Sequence, residues 1–193
     1  MQAARTVWRK RQAWLHAHPG HLSKIVFIDE TGLNTKMARL RGRAKRGQRL
    51  VASIPHGHWK TLTFIAGLRH DRLTAPWVID GPMDGDTFVK YITTQLAPTL
   101  ARGDVMILDN LPAHKRKEAE IAVKQRGAWL LFLPAYSPDF NPIEKAFSKL
   151  KAHLKRMAPR TVTELWKAAG KICDLFTPKQ CRNFFKADGY EPC

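Results

Sequence analysis

The sequence predicts an α/β fold built on a mixed sheet, antiparallel among its first strands and parallel among its last, with helices flanking it. Three observations carry this. Two short, wholly apolar runs, residues 25–28 and Val105–Leu108, have the character of strands buried on both faces. Two runs rich in β-branched and aromatic residues, Thr61–Leu68 and Leu73–Ile79, flank His70-Asp71-Arg72 and read as a hairpin. From Asp84 onward helix and strand alternate, which implies parallel pairing.

Each element has its own reason. Residues 25–28 form the central strand, ended by Asp29, and residues 50–54 predict a further extended piece before the hairpin. Asp84-Gly-Asp-Thr-Phe88 supplies N-cap chemistry for a helix that sets Phe88, Ile92, Leu96 and Leu100 on one face. Pro98 is expected to bend its last turn and Gly103 to close it. Val105–Leu108 follows, ended by Asp109, then a charged helix over 115–126, a Gly127 stop and a strand over 128–133. Past the proline-rich turn 134–142, Ile143, Phe147, Leu150 and Leu154 share one face of a helix. Thr161-Val-Thr-Glu164 opens the next with a capping box.

With 193 residues, 44% of them hydrophobic, the chain is long enough for one domain with a real core. Its 33 Lys and Arg against 16 Asp and Glu give a net charge of +17, which points to a polyanionic partner, nucleic acid first. Residues 31–70 hold nine Lys or Arg and no acid. Arg39, Arg41, Arg43, Lys45, Arg46 and Arg49 are expected on the DNA backbone, with Lys149 and Lys155 of the late helix lining the same groove. A solvated loop is the plainer alternative. No apolar stretch approaches the roughly 20 residues of a membrane span. The charged segment Trp8-Arg-Lys-Arg-Gln-Ala-Trp14 is unlike a secretory signal, so a cytoplasmic location is expected. Cys173, Cys181 and Cys193 show no metal-ligand spacing and read as ordinary thiols.

Three acids stand in distinctive settings. Asp29 and Asp109 each end an apolar run, and Glu144 opens an amphipathic helix. Two divalent ions need several hard oxygen donors in one place, and carboxylates so gathered repel one another until a cation joins them. Taken singly, each acid has a simpler reading: strand-end aspartates serve turns, and Asn141-Pro142-Ile143-Glu144 fits a helix cap. Glu30 faces away from Asp29 if the strand runs through both. Asp139 and the group Asp80, Asp84 and Asp86 read as turn and cap residues. Asn110 and His114 follow the second acid closely, placed to orient a ligand, touch a phosphate or cap the next helix.

Phe27-Ile-Asp-Glu-Thr-Gly32, Leu108-Asp-Asn-Leu-Pro-Ala-His114 and Leu133-Pro-Ala-Tyr-Ser-Pro-Asp-Phe-Asn-Pro-Ile-Glu144 resemble the three signature blocks of mariner-like bacterial insertion-sequence transposases. These are DDE enzymes with a ribonuclease H-like catalytic fold. Thirty-four residues separate Asp109 from Glu144, similar to the superfamily's spacing, and the resemblance covers residues 24–175. It implies Asp29, Asp109 and Glu144 as catalytic residues holding two Mg²⁺ (or Mn²⁺) ions. It also implies cleavage of double-stranded DNA at element ends and strand transfer into target DNA, commonly at TA, by a homodimer acting in the bacterial nucleoid. Complete members carry helix-turn-helix modules upstream. Residues 1–22 then read as a linker helix from a missing DNA-binding region, 23–176 as the catalytic domain and 177–193 as a helical tail. An upstream partner or fused half is expected. The rivals are a nuclease of the same fold that hydrolyses without joining, and a catalytically silent nucleic-acid-binding remnant.

Overall fold

In the computed structural model, which describes residues 2–39, 41–51, 55, 56 and 58–192, five strands form one sheet. In chain order the elements are α1 (Gln2–Ala17), β1 (Ile25–Asn34), β2 (Thr61–Leu68), β3 (Leu73–Ile79), α2 (Gly85–Tyr91), β4 (Val105–Leu108), α3 (Lys117–Gln125), β5 (Trp129–Phe132), α4 (Ile143–Met157), α5 (Val162–Cys173) and α6 (Pro178–Ala187). The strand order is β3-β2-β1-β4-β5. β1, β2 and β3 pair antiparallel, whereas β1, β4 and β5 pair parallel, as the sequence predicts.

The sheet divides the core by strand parity, because alternate side chains face opposite sides. Phe27 and Ile107 look toward a core completed by Phe147, Leu150 and Leu154 of α4, Leu165 of α5, Phe185 of α6 and Trp8 of α1. Val26, Ile28, Met106 and Leu108 look the other way, toward Phe88 of α2 and Val123 of α3. The expected row Phe88, Ile92, Leu96 and Leu100 is buried throughout. A strict four-residue repeat drifts ahead of a 3.6-residue turn. A π turn over Ile92–Leu96 holds the row on the sheet, and Pro98, which has no N–H to give the preceding turn, converts the end to 3-10 over Ala97–Thr99.

Several boundaries differ from expectation. β1 does not stop at Asp29 but runs on to Asn34, because the antiparallel ladder Phe27↔Leu68 to Asn34↔Thr61 supports residues that have no apolar pattern of their own. The extended piece expected over 50–54 is not a strand at Leu50 and Val51, and residues 52–54 lie outside the described residues. The helix expected over 115–126 begins at Lys117, after a 3-10 turn at Pro112–His114. Asp84 caps α2 by accepting from the Thr87 N–H, and Thr161 and Glu164 form the expected capping box.

Contacts distant in sequence join the chain's two ends to this core. Trp8 Nε1 donates to Tyr190 Oη at 2.8 Å, and that hydroxyl donates on to the Phe140 carbonyl at 2.6 Å. Among the described residues no helix is long and apolar enough to cross a membrane.

Candidate active site

Parallel pairing sets the height of the first two acids. Phe27 lies opposite Ile107 in the β1–β4 ladder, and two residues further along each chain come Asp29 and Asp109, on neighbouring segments about 4.8 Å apart by sheet geometry. Asp29 shares the parity of Phe27 and so faces α4. Its Oδ2 accepts from Asn141 Nδ2 at 2.9 Å, and its Oδ1 from the Glu30 backbone N–H at 2.8 Å. Glu144 sits in the first turn of α4. Asp29, Asp109 and Glu144 line one hollow of about 430 Å³, walled by Leu133 and the 134–138 turn.

Glu30, of opposite parity, lies on the other side of the sheet with His114. That imidazole is 2% exposed and rests against the Phe88 ring, with centroids 4.5 Å apart. Its Nδ1 is 2.5 Å from Asp109 Oδ1, and its Nε2 is 3.3 Å from Glu30 Oε2, an ion-pair contact whose angle is not that of a hydrogen bond. His114 therefore ties the second acid block to the first strand.

The electrostatics report the crowding. Burial, aided by the charges of Glu30, Glu144 and Asp109, pushes the Asp29 carboxyl from 3.8 up to about 8, against the lowering effect of the Glu30 N–H. Burial alone would lower His114, but its contacts with Asp109 and Glu30 outweigh that and raise it from 6.5 to about 9. Such a cluster is relieved by a cation. Among the described residues no three acid, imidazole or thiol groups stand gathered tightly enough to hold a metal ion as they are. The donor set fits one nonetheless: three hard carboxylates share a hollow, and Asn141 Oδ1 is buried there without a hydrogen-bond partner.

Asn110 also lines the hollow, while His114 acts from behind Asp109. Asn141 is not the cap of α4; its amide turns to Asp29 and Pro142 takes the cap position with no side-chain bond, so the capping explanation of Glu144 is not realised. Asp139 makes no simple turn bond but pairs with Arg5, whose guanidinium reaches both its oxygens at 3.0 and 2.6 Å and Ser137 Oγ at 2.8 Å. Arg39 and Arg41 share a second hollow, of about 650 Å³, with Lys155, Arg156 and His153. Burial and the charges of Arg156 and Lys149 lower the His153 pKa from 6.5, as a basic surface should. Arg43, Lys45, Arg46 and Arg49 lie exposed on the irregular segment that follows Arg41. Lys149 is engaged within the fold: its Nζ donates to Leu175 O at 2.7 Å and Gln180 Oε1 at 2.5 Å and lies 4.3 Å over the Phe176 ring. The roles of Asn141 and Arg5 escaped the sequence because each acts on a partner more than a hundred residues away.

Known proteins resemble the chain in sequence and in fold. A family model described as DDE superfamily endonuclease matches residues 24–182. The Tcb2 transposable-element transposase of Caenorhabditis briggsae is 25% identical over 127 residues, 58% of this chain and 46% of the relative. The chain thus spans about half the length of that relative. Among solved structures, a pre-cleavage Mos1 transpososome aligns at a TM-score of 0.72 and 12% identity, covering 96% of this chain and 57% of that chain. The Mos1 transposase catalytic domain with raltegravir and magnesium aligns at 0.62 and 11% identity, covering 94% and 88%. At these identities the likeness is one of fold, ribonuclease H-like in type. The family match contains Asp29, Asp109, Glu144 and the whole five-stranded sheet, and the chain belongs to the DDE superfamily of endonucleases.

Proposed function

We propose that the chain is the catalytic domain of a transposase that cuts double-stranded DNA at element ends and joins the freed 3′ ends to target DNA. One observation carries this: Asp29, Asp109 and Glu144, from three separate elements, line a single hollow. In this reading the three carboxylates hold two Mg²⁺ or Mn²⁺ ions. Bound divalent ions supply Lewis acidity at phosphorus and favour the deprotonated form of an attacking oxygen.

The protein's own groups do the positioning. Asn141 fixes the Asp29 carboxylate from the α4 side, and His114 fixes Asp109 from the opposite side of the sheet. Arg39, Arg41 and Lys155 hold the DNA backbone, with Arg43, Lys45, Arg46 and Arg49 extending the basic surface. Two in-line displacements follow, the first by water on the scissile phosphodiester and the second by the resulting 3′-hydroxyl on a target phosphodiester. Each expels a 3′-oxygen, so no covalent protein intermediate is needed. The Mos1 neighbours include paired-end and strand-transfer complexes and forms with magnesium and manganese, which supports DNA and divalent metal here, and a homodimer that pairs two ends is part of the same proposal. In this reading residues 23–176 are the catalytic domain, with the helix within residues 1–22 packed on it through Trp8 and the helical tail 177–193 through Phe185 and Tyr190. A cytoplasmic site of action at the bacterial nucleoid accompanies this reading.

The test supplies the chain with a pre-cut duplex end, supercoiled plasmid and Mn²⁺ or Mg²⁺. Covalently joined product that Asp109→Asn abolishes, with DNA binding retained, supports the proposal. Nicked plasmid without joining identifies a hydrolytic nuclease instead. DNA binding without metal binding identifies a silent nucleic-acid-binding protein.

A further inference from the structure

The turn that walls the acidic hollow carries a side chain that packing does not explain. Tyr136 is 90% exposed, above every other exposed large apolar residue among the described residues, and it borders the hollow beside Asp109 and Glu144. Its φ is +53°, a left-handed conformation that a bulky residue adopts only under constraint and that glycine would adopt freely. A strained backbone that displays an aromatic ring to solvent gains nothing for the core. Strain of this kind concentrates where a side chain must be aimed.

The turn is also held firmly. Pro134 and Pro138 restrict it at both ends, and Ser137, 5% exposed, donates to the Ala135 carbonyl while accepting from Arg5. The ring thus stands on a rigid mount, at the rim of a site built for phosphodiesters, with few side-chain rotations to lose on binding. Bases inside a duplex are already stacked and present no free face. A base that loses its neighbour beside a cut or strained phosphodiester exposes one, and an aromatic ring accepts any such base because each has a π face.

We propose that Tyr136 is a base-stacking residue, binding the face of an unstacked nucleobase next to the phosphodiester held by Asp29, Asp109 and Glu144. This rests on the DNA phosphoryl-transfer reading of that site. The contact stabilises the distorted strand and selects DNA that can be opened locally, so it sets where the chain acts and not the chemistry itself.

The test compares three duplexes that are fully paired, carry one unpaired 2-aminopurine at a central gap, or carry an abasic residue in its place. Wild type and Tyr136→Phe should quench the 2-aminopurine and bind its duplex more tightly than the abasic one, by roughly five- to 150-fold, the range of aromatic–base stacking. Tyr136→Ala and Tyr136→Gly should lose both the quenching and the preference while binding paired duplex as wild type does. Tyr136→Gly should melt at the same or a higher temperature, since it relieves the left-handed strain; loss of function with no loss of stability is a signature that a structural tyrosine would not give. A preference that survives in Tyr136→Ala, or its absence from wild type, overturns the proposal. If the ring instead docks on a second copy of the chain, Tyr136→Ala changes the oligomeric state and leaves base preference untouched, which also overturns it. Metal-dependent nicking, assayed in parallel, separates the two readings: nicking without base preference removes only Tyr136's role, whereas base preference without nicking removes the transposase reading.

Discussion

Asn141 donates its amide hydrogen to Asp29 across 2.9 Å, linking two residues 112 positions apart. The donor sits at the entrance to the helix that carries Glu144, so this one bond aligns the first acid with the third. Asn141→Ala leaves the Asp29 carboxylate without its side-chain donor in a buried setting, a loss of about 1–3 kcal/mol of stability. Outer partners of metal ligands commonly control affinity by roughly 10- to 100-fold. Mn²⁺ titration followed by electron paramagnetic resonance should therefore show weaker binding by about that factor. Unchanged affinity would remove Asn141 from the site.

His114 holds Asp109 from behind, and its replacement should separate position from charge. His114→Ala frees Asp109 and opens a void against Phe88, so both joining rate and melting temperature should fall. Glu30→Gln keeps the 2.5 Å Asp109 contact and removes only the outer charge, so its effect on joining should be the smaller. Equal losses in the two variants would mean that the Glu30 charge, which also bears on Asp29, matters as much to the site as the grip of the imidazole on Asp109.

The metal-free chain should lose stability as pH rises. Asp29 titrates at about 8 in the folded state against 3.8 ordinarily, so between those values the folded chain keeps a proton that the unfolded chain has lost. Stability declines wherever the folded state binds more protons. His114, raised from 6.5 to about 9, contributes fully below 6.5 and loses that contribution as pH passes through 9. Both slopes are downward. Calorimetric melting from pH 5 to 9.5 in EDTA should fall steadily, Mg²⁺ should restore most at the alkaline end, and Asp29→Asn should flatten the lower part of the curve. A metal-free melting temperature that climbs across this range would refute the assigned crowding.

What the sequence discloses depends on whether the cause is local. Residues 25–28 and Val105–Leu108 read as strands because an apolar run that short has few other uses, and the row Ile143, Phe147, Leu150 and Leu154 declares its helix by spacing alone. The continuation of β1 through Glu30, Thr31 and Gly32 was hidden because its support comes from β2, more than thirty residues later. Asn141 before Pro142 looks locally like a cap, and only the fold reveals that Asp29 claims its amide. The three acids are legible as individuals. Their common hollow is a product of the β1–β4 register and the entry of α4, neither of which leaves a mark in the residues themselves.

Arg5 provides the last test, because it joins α1 to the turn that walls the hollow. Its guanidinium grips Asp139 through two oxygens, donates to Ser137 and lies 4.5 Å over the Phe140 ring. Exposed ion pairs stabilise little, so Arg5→Ala should change the melting temperature only slightly. The turn from Pro134 to Asn141 should nevertheless lose its brace, and joining should slow more than DNA binding weakens. Arg5→Lys should not restore it, since a single ammonium cannot reproduce the planar two-pronged contact. Asp139→Asn should give the same defect, and combining it with Arg5→Ala should add little, because the two residues act as one unit. Additive losses in that cycle would show that Arg5 acts through Ser137 or Phe140 and that the Asp139 pair is incidental.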